Sequence, residues 1–201
     1  MANYPGPVAR FIVLEGGEAV GKSTQAYLLA DHLGALLTRE PGGTSIGEAL
    51  RRMLLDPLLP TPVPKAEALL MLAARAQHLA EVIEPALARG QDVVCDRYSG
   101  STLAYQGYGR GLDVKELAYM DGWATSGRAP DVVVLLDAPL EVSRRRRVGV
   151  GDRFEAEDDD FQRRVAAGFR ELAATQPGRW KTVDASMGVE QVAAAVRKAV
   201  G

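Results

Sequence analysis

The chain has 201 residues, a length that suits one compact domain because it can bury roughly 70% of the surface exposed on unfolding. Hydrophobic residues make up 47% and charged residues 25%, which excludes an intrinsically disordered chain. The formal net charge of -2 argues against a surface that coats nucleic acid, since such binding needs many lysine and arginine contacts to phosphate.

Cysteine content and hydropathy predict a cytoplasmic protein. Cys95 is the single cysteine and lies in an apolar run, so we expect no internal disulfide and a reduced, inert thiol. The first seven residues lack the basic start and long apolar stretch of a signal peptide. No uncharged run approaches the roughly 18 residues that a membrane span needs, so no membrane partner is expected.

Short apolar runs rich in branched residues alternate with longer segments of helical period. This alternation predicts an α/β fold, a three-layer sandwich in which helices cover both faces of a parallel sheet of about five strands. We expect a single domain over residues 1–201. The predicted strands are residues 10–15, 35–38, 91–95, 131–137 and 180–184.

The intervening segments predict helices that end at glycine or proline signals. The long helix should be kinked as it continues past Pro85 to residue 90, because proline removes a backbone donor and crowds the preceding turn. Residues 57–64 contain too many prolines for a helix and predict a stiff surface connector. The predicted helices are residues 22–33, 45–55, 65–84, 113–125, 138–147, 161–175 and 189–200.

A phosphate-binding loop follows the first predicted strand and opens the first predicted helix. Its glycines allow the backbone to wrap a phosphate, and consecutive amides with the positive helix end hold the oxygens. Lys22 should lie against the β and γ phosphates of ATP, and the Ser23 hydroxyl should bind Mg²⁺. The alternative is a glycine-rich turn with an exposed lysine. The predicted nucleotide-binding residues are Gly16, Gly17, Glu18, Ala19, Val20, Gly21, Lys22, Ser23 and Thr24.

This loop alone indicates only the use of a nucleoside triphosphate, because switch GTPases, motor ATPases and small-molecule kinases share it. Three further segments narrow the choice: Arg39-Glu-Pro-Gly-Gly-Thr44, Leu69-Leu-Met-Leu-Ala-Ala-Arg75-Ala-Gln-His78, and Val94-Cys-Asp-Arg-Tyr98 followed by Ser101-Thr-Leu-Ala-Tyr-Gln106. Together with the loop, and over nearly the whole chain, they resemble the bacterial thymidylate kinases. The resemblance implies a P-loop kinase that moves the γ-phosphate of ATP to dTMP with Mg²⁺, and a homodimer.

Two adjacent residues at the end of the third strand are expected to serve the metal and the acceptor. A carboxylate at Asp96 can order the water shell of Mg²⁺ beside Ser23, although a helix-capping aspartate is the alternative. Arg97 resembles the family arginine that grips the acceptor's phosphate, a task for which its rigid fork of donors is suited. A surface ion pair is the alternative role for Arg97.

Arg75 projects from an otherwise apolar helix and therefore needs a partner. The resemblance implies that this partner is the thymine carbonyl, with Thr102 and Gln106 completing the base edge; an internal salt bridge to a glutamate is the alternative. Met71 stands where the family usually places a phenylalanine that stacks on thymine. A thioether can still cover the ring, so we expect a looser pocket.

Four further positions are assigned to the acceptor site by resemblance. Tyr105 should pack near the sugar and favour deoxyribose. Glu18 corresponds to an acidic position near the acceptor's 3′-hydroxyl, although a solvent-facing loop residue is the alternative. Arg39 and Pro41, in the first of the three segments, complete the predicted acceptor-binding set.

Four consecutive arginines, residues 144–147, precede a glycine-broken stretch, and residues 144–157 resemble the family's lid. We expect one or two of Arg144, Arg147 and Arg153 to reach the phosphates, and assign Arg147 and Arg153 as catalytic with Lys22 and Arg97. A solvated helix face must account for some of the four, since consecutive residues point in different directions.

Two other functions remain open from the sequence. One is a kinase for another nucleotide or nucleoside, against which the set Arg75, Thr102 and Gln106 argues. The other is a GTP-binding switch, which should contain an Asn-Lys-x-Asp segment that this sequence lacks.

Overall fold

Five short strands run parallel in one sheet. The computed structural model describes residues 9–146 and 152–201, and its sheet has the strand order β2-β3-β1-β4-β5. Each neighbouring pair in it is parallel. The predicted α/β class is confirmed, and the predicted strand ends lie within two residues of those observed. The strands are β1 Phe11–Glu15, β2 Leu36–Arg39, β3 Val93–Asp96, β4 Val132–Asp137 and β5 Trp180–Asp184.

Helices connect the strands and cover both faces of the sheet. Two of them continue into π-helical segments, Leu79–Ile83 and Leu103–Gly109. None of the described helices is long and apolar enough to cross a membrane. The α-helices are α1 Lys22–Leu33, α2 Ser45–Leu55, α3 Pro64–His78, α4 Glu84–Ala88, α5 Ser99–Thr102, α6 Val114–Ala124, α7 Leu140–Arg146, α8 Asp159–Thr175 and α9 Val189–Val200.

The long helix predicted over residues 65–84 is not uniform. After α3 the helix widens into the π-helical segment, and α4 then begins at Glu84, with Pro85 in its first turn. Proline lacks the backbone donor that a regular helix needs, which explains why the irregularity lies directly before it. The sequence also predicted no element at residues 99–109, where α5 and the second π-helical segment occur.

Alternating side chains of the strands build two cores, one on each face of the sheet. Phe11 and Val13 point into the core beneath α8, whereas Ile12 and Leu14 point into the core beneath α1 and α9. This two-residue period with both faces buried is expected of a central parallel strand.

The carboxyl ends of three neighbouring strands meet at one edge of the sheet. β1 ends at Glu15, β2 at Arg39 and β3 at Asp96, and Asp96 is in register with both Leu14 and Arg39. Ligands of open parallel sheets collect at this edge, so the fold places the loop after β1 beside the loops after β2 and β3.

Candidate active site

The loop between β1 and α1 has the backbone conformation of a phosphate cradle. Gly16 and Gly21 have φ angles of 144° and 97°, and a Cβ atom on Gly16 would collide with the carbonyl oxygen of Leu136. Glycine is therefore required at Gly16. Lys22 is buried, and its Nζ donates to the carbonyl of Gly17 at 2.5 Å. Burial, followed by the charge of Arg97, lowers the pKa of Lys22 to about 8.

Ser23 and Asp96, predicted to share a metal ion, lie together at the end of β3. The Ser23 hydroxyl donates to Oδ2 of Asp96 at 2.6 Å. Oδ1 of Asp96 is buried and has no hydrogen-bond partner among the described residues. Hard oxygen ligands with spare acceptor capacity suit Mg²⁺, so the residues present fit this ion.

Arg97 is held in one orientation by four neighbours. Its φ of 74° is unusual for a residue with a side chain and places the guanidinium over the phosphate loop. Nη1 donates to the carbonyl of Gly16 at 2.9 Å and to Ser101 at 3.1 Å. Nη2 donates to Glu18 at 2.7 Å and to the Tyr105 hydroxyl at 3.1 Å. Protein groups alone therefore fix the position of the guanidinium.

Glu18 carries a negative charge between two cations. Burial alone would raise its pKa, but the charges of Arg97 and Lys22 and a hydrogen bond from Tyr105 lower the pKa to about 2. Glu18 therefore stays ionised at neutral pH and balances the positive charges of Arg97 and Lys22. The alternative of a freely solvated loop residue is wrong, because its side chain is only 12% exposed and paired with Arg97.

Two clefts share a wall that includes this pair of residues together with Glu40, Arg51 and Asp152. We call them the loop cleft, which surrounds the phosphate loop, and the inner pocket, which lies between α3 and the segment after β3. Glu18 and Arg97 line both. Other residues of the loop cleft are Gly21, Lys22, Ser23, Thr24, Asp96, Arg146 and Gly188. Other residues of the inner pocket are Pro41, Met71, Arg75, Thr102, Tyr105, Gln106 and Phe154.

Eight of the nine residues assigned to the acceptor, all except Arg39, therefore border one pocket. The structure does not place Arg39 there: it lies in the loop cleft, where its Nη2 donates to Glu48 at 2.9 Å. Arg39 lies outside the inner pocket because it is the last residue of β2 and the chain turns towards the pocket only after this strand ends. The residue that turns inward is Glu40, which is buried.

Arg75 has protein partners in addition to its place in the inner pocket. Nε donates to Glu40 at 2.7 Å, and Nη1 donates to Thr102 at 3.0 Å and to Asp121 at 2.6 Å. Burial would lower its pKa, but the charges of Glu40 and Asp121 outweigh burial and raise it. The internal salt bridge considered as the alternative is present. It leaves Nη2 without a hydrogen-bond partner among the described residues, so a base contact stays a prediction.

The arginines predicted to act from the lid lie apart. Arg144 pairs with Asp159, whereas Arg146 borders the loop cleft and donates to the carbonyl of Ala185 at 2.6 Å. Arg147 lies outside the described residues. Arg153 is buried, and its Nη2 donates to carbonyls of residues 56 and 59, so this structure does not bring it to the phosphate loop.

Several residues of the site were not predicted. Glu15, at the end of β1, accepts hydrogen bonds from the backbone of Tyr98 and Ser101 and thereby fixes the turn that carries Arg97. Its position as the last residue of a strand was the only available signal. Asp121 carried no such signal, because nothing near it in the sequence indicates that its partner is Arg75 on the distant helix α3.

A phosphate cradle at the end of β1, with an arginine-lined pocket beside it on a parallel sheet, defines the P-loop kinase class. The family model described as thymidylate kinase matches residues 14–196. The chain therefore belongs to the thymidylate kinase family.

Individual relatives agree with this placement along nearly the whole chain. The thymidylate kinase of Pelotomaculum thermopropionicum is 47% identical, with 94% of this chain and 92% of the relative covered. That of a Synechococcus species is 49% identical, with 92% of each chain covered. A crystal structure of thymidylate kinase from Ehrlichia chaffeensis superposes with a TM-score of 0.81 at 30% identity, covering 96% of this chain and 99% of that one.

Proposed function

We propose that the protein transfers the γ-phosphate of ATP to dTMP, giving ADP and dTDP for dTTP synthesis. The observation that carries this proposal is the shared wall of the two clefts. Glu18 and Arg97 border both, so a triphosphate in the loop cleft and a monophosphate in the inner pocket would meet at these two residues. Family membership supports the choice of thymidylate.

The residues divide the work between the two substrates. Loop amides and Lys22 hold the donor phosphates, while Arg97 faces the acceptor's phosphate and keeps the two reacting groups aligned. Nη1 of Arg97 donates to the neutral carbonyl of Gly16, and Nη2 donates to the carboxylate of Glu18. An incoming phosphate therefore competes with Glu18 for the guanidinium. Glu18 is then free to accept a hydrogen bond from the sugar.

Base recognition is assigned to the far end of the inner pocket. Arg75 and Gln106 are buried there, and each has a fixed neighbour: Glu40 for Arg75 and Glu67 for Gln106, at 2.7 Å and 2.8 Å. Such anchored groups reject a base that leaves them unpaired. Met71 and Phe154 supply apolar wall for the ring.

Mg²⁺ belongs to the same proposal. Ser23 and Asp96 would hold it, directly or through its water shell, and the ion would neutralise phosphate charge. The buried, unpartnered Oδ1 of Asp96 supports this assignment. Arg147 and Arg153 remain proposed lid residues. Arg146, in the same run of arginines, borders the loop cleft together with Arg39, Arg51 and Arg97.

The proposal includes a cytoplasmic location and a homodimeric assembly. Helices α3 and α6 pack against each other and expose Leu69, Tyr119 and Trp123, whose exposed fractions are 56%, 79% and 82%. Large aromatic side chains are unfavourable in water and are enriched at protein interfaces. This face, on α3 and α6, would contact a second copy.

Coupled measurement of ADP release tests the function. The protein is mixed with ATP, Mg²⁺ and one of dTMP, dUMP, dCMP, dGMP or UMP, and Arg97→Ala serves as the site control. We expect the highest kcat/KM with dTMP and a loss of at least about 100-fold in the variant. Equal turnover of all monophosphates, or unimpaired turnover by Arg97→Ala, would refute the proposal.

A further inference from the structure

A line of hydrogen-bonded polar side chains runs from β2 to the inner pocket. It begins at Thr38, passes through His78 and Glu40, and ends at Arg75. His78 is fully buried and does not border the inner pocket. It therefore has no direct contact with a ligand there, and its effect must pass through Glu40.

The hydrogen bonds of this line fix the orientation of the His78 ring. Nδ1 lies 2.9 Å from Oε1 of Glu40, and Nε2 lies 2.6 Å from the Thr38 hydroxyl. A carboxylate oxygen only accepts, so the Nδ1 that faces Glu40 is assigned a proton, and Nε2 forms the hydrogen bond with the Thr38 hydroxyl. Each ring nitrogen thus has one partner.

Glu40 has a partner at each oxygen. Oε1 accepts from His78 and Oε2 accepts from Nε of Arg75 at 2.7 Å. Two contacts, one at each oxygen, fix the plane of the carboxylate, so losing the contact to His78 would free the plane in which Glu40 meets the guanidinium. Metal sites show a similar arrangement, in which a residue behind the ligand forms a hydrogen bond to it and fixes its orientation.

The backbone also closes around His78. A Cβ atom on Gly43 would lie 2.6 Å from Cδ2 and Nε2 of the ring, so the loop after β2 touches the imidazole edge where only glycine fits. This close approach holds the ring in one position. It also ties the ring to the segment that carries Glu40.

A metal site is the other reading of these residues, because ligand atoms of Glu40, His78 and Cys95 lie within 4.8 Å of one another. The hydrogen bonds argue against it. Both oxygens of Glu40 and both nitrogens of His78 are already engaged. Burial raises the pKa of the Cys95 thiol well above its usual value, and the cation Arg75 lies next to Glu40.

We propose that His78 is a positioning residue for base recognition: through Glu40 it holds the Arg75 guanidinium in the orientation that reads the acceptor's base. This inference rests on the proposed function of the inner pocket. It predicts that a change at His78 weakens acceptor binding and leaves the nucleotide at the phosphate loop unaffected. Glu40 also borders the loop cleft, but both of its oxygens are engaged by His78 and Arg75.

Steady-state kinetics of His78→Phe and His78→Asn test the proposal. Phenylalanine fills the site but removes both hydrogen bonds, whereas the asparagine amide can donate to Glu40 from about the position of Nδ1. We expect the KM for dTMP to rise about 10-fold in His78→Phe, with the KM for ATP unchanged, and to recover to within about 3-fold in His78→Asn. His32→Phe, at the exposed second histidine on α1, is the matched control.

An unchanged KM for dTMP in His78→Phe, or equal rises in both KM values, would overturn the proposal. If His78→Phe does not fold, a comparison of Thr38→Val with Thr38→Ser tests the same line, because only the valine variant lacks the hydroxyl that contacts His78. Long-range ¹⁵N correlation spectra of the wild-type ring add a readout that is independent of turnover. A proton on Nε2 with a bare Nδ1 would refute the relay, whereas a wild-type enzyme inactive with dTMP would refute the proposed function instead.

Discussion

Replacing Glu15 by glutamine should remove a pH dependence from the protein's stability. Glu15 is 1% exposed at the end of β1 and accepts the backbone N–H groups of Tyr98 and Ser101, both at 3.0 Å, and the Ser101 hydroxyl at 2.6 Å. Burial outweighs these contacts and the nearby charge of Arg97, and raises the pKa of Glu15 from 4.5 to about 7.

The sign and size of the effect follow from this shift. The folded protein holds the Glu15 proton more tightly than the unfolded chain does. The resulting stability is fully present below about pH 4.5 and is lost as the pH rises through 7. The whole shift corresponds to on the order of 3 kcal/mol, of which about 2 kcal/mol falls between pH 5 and pH 8.

Urea unfolding at several pH values between 5 and 8 measures this contribution. Glu15→Gln keeps the shape and has no proton to lose, so its free energy of unfolding should rise relative to wild type by about 2 kcal/mol from pH 5 to pH 8. Glu116→Gln, at an exposed position on α6, is the control and should run parallel to wild type. A constant difference between Glu15→Gln and wild type across this range would refute the burial argument.

Three further predictions concern the metal, the pocket and the dimer. Asp96→Asn should raise the Mg²⁺ concentration needed for half-maximal turnover by about 10-fold, because it weakens a hard oxygen ligand; an unchanged requirement contradicts the metal assignment. Tyr105→Phe removes the hydroxyl that Arg97 and Glu18 share, so the KM for dTMP should rise about 3- to 10-fold while that for ATP stays constant in the same assay. Trp123→Asp should convert a dimer to monomers in sedimentation experiments, and a wild-type monomer would contradict the proposed interface.

Local signals explain why the fold was largely predictable. The strands were found because buried parallel strands are continuous apolar runs, and α1 was bounded correctly because Gly21 and Gly34 flank it. Elements without a periodic pattern were not predicted. Small and polar residues build α5, and the π-helical turn before Pro85 depends on backbone donors that sequence periodicity does not describe.

The same distinction holds for the candidate site, where local features were predictable and contacts between distant segments were not. The phosphate loop was predictable because a glycine-rich turn between a strand and a helix is encoded by adjacent residues. Most polar residues of the inner pocket were predicted as well, whereas Glu40, Arg51 and Asp152 were not. The contacts of each of these residues depend on how the chain packs. The three partners of Arg75 lie 35, 27 and 46 residues away along the chain. Electrostatic interactions act through space, so the charge balance at Arg75, and the burial that raises the pKa of Glu15, exist only once distant segments have packed together.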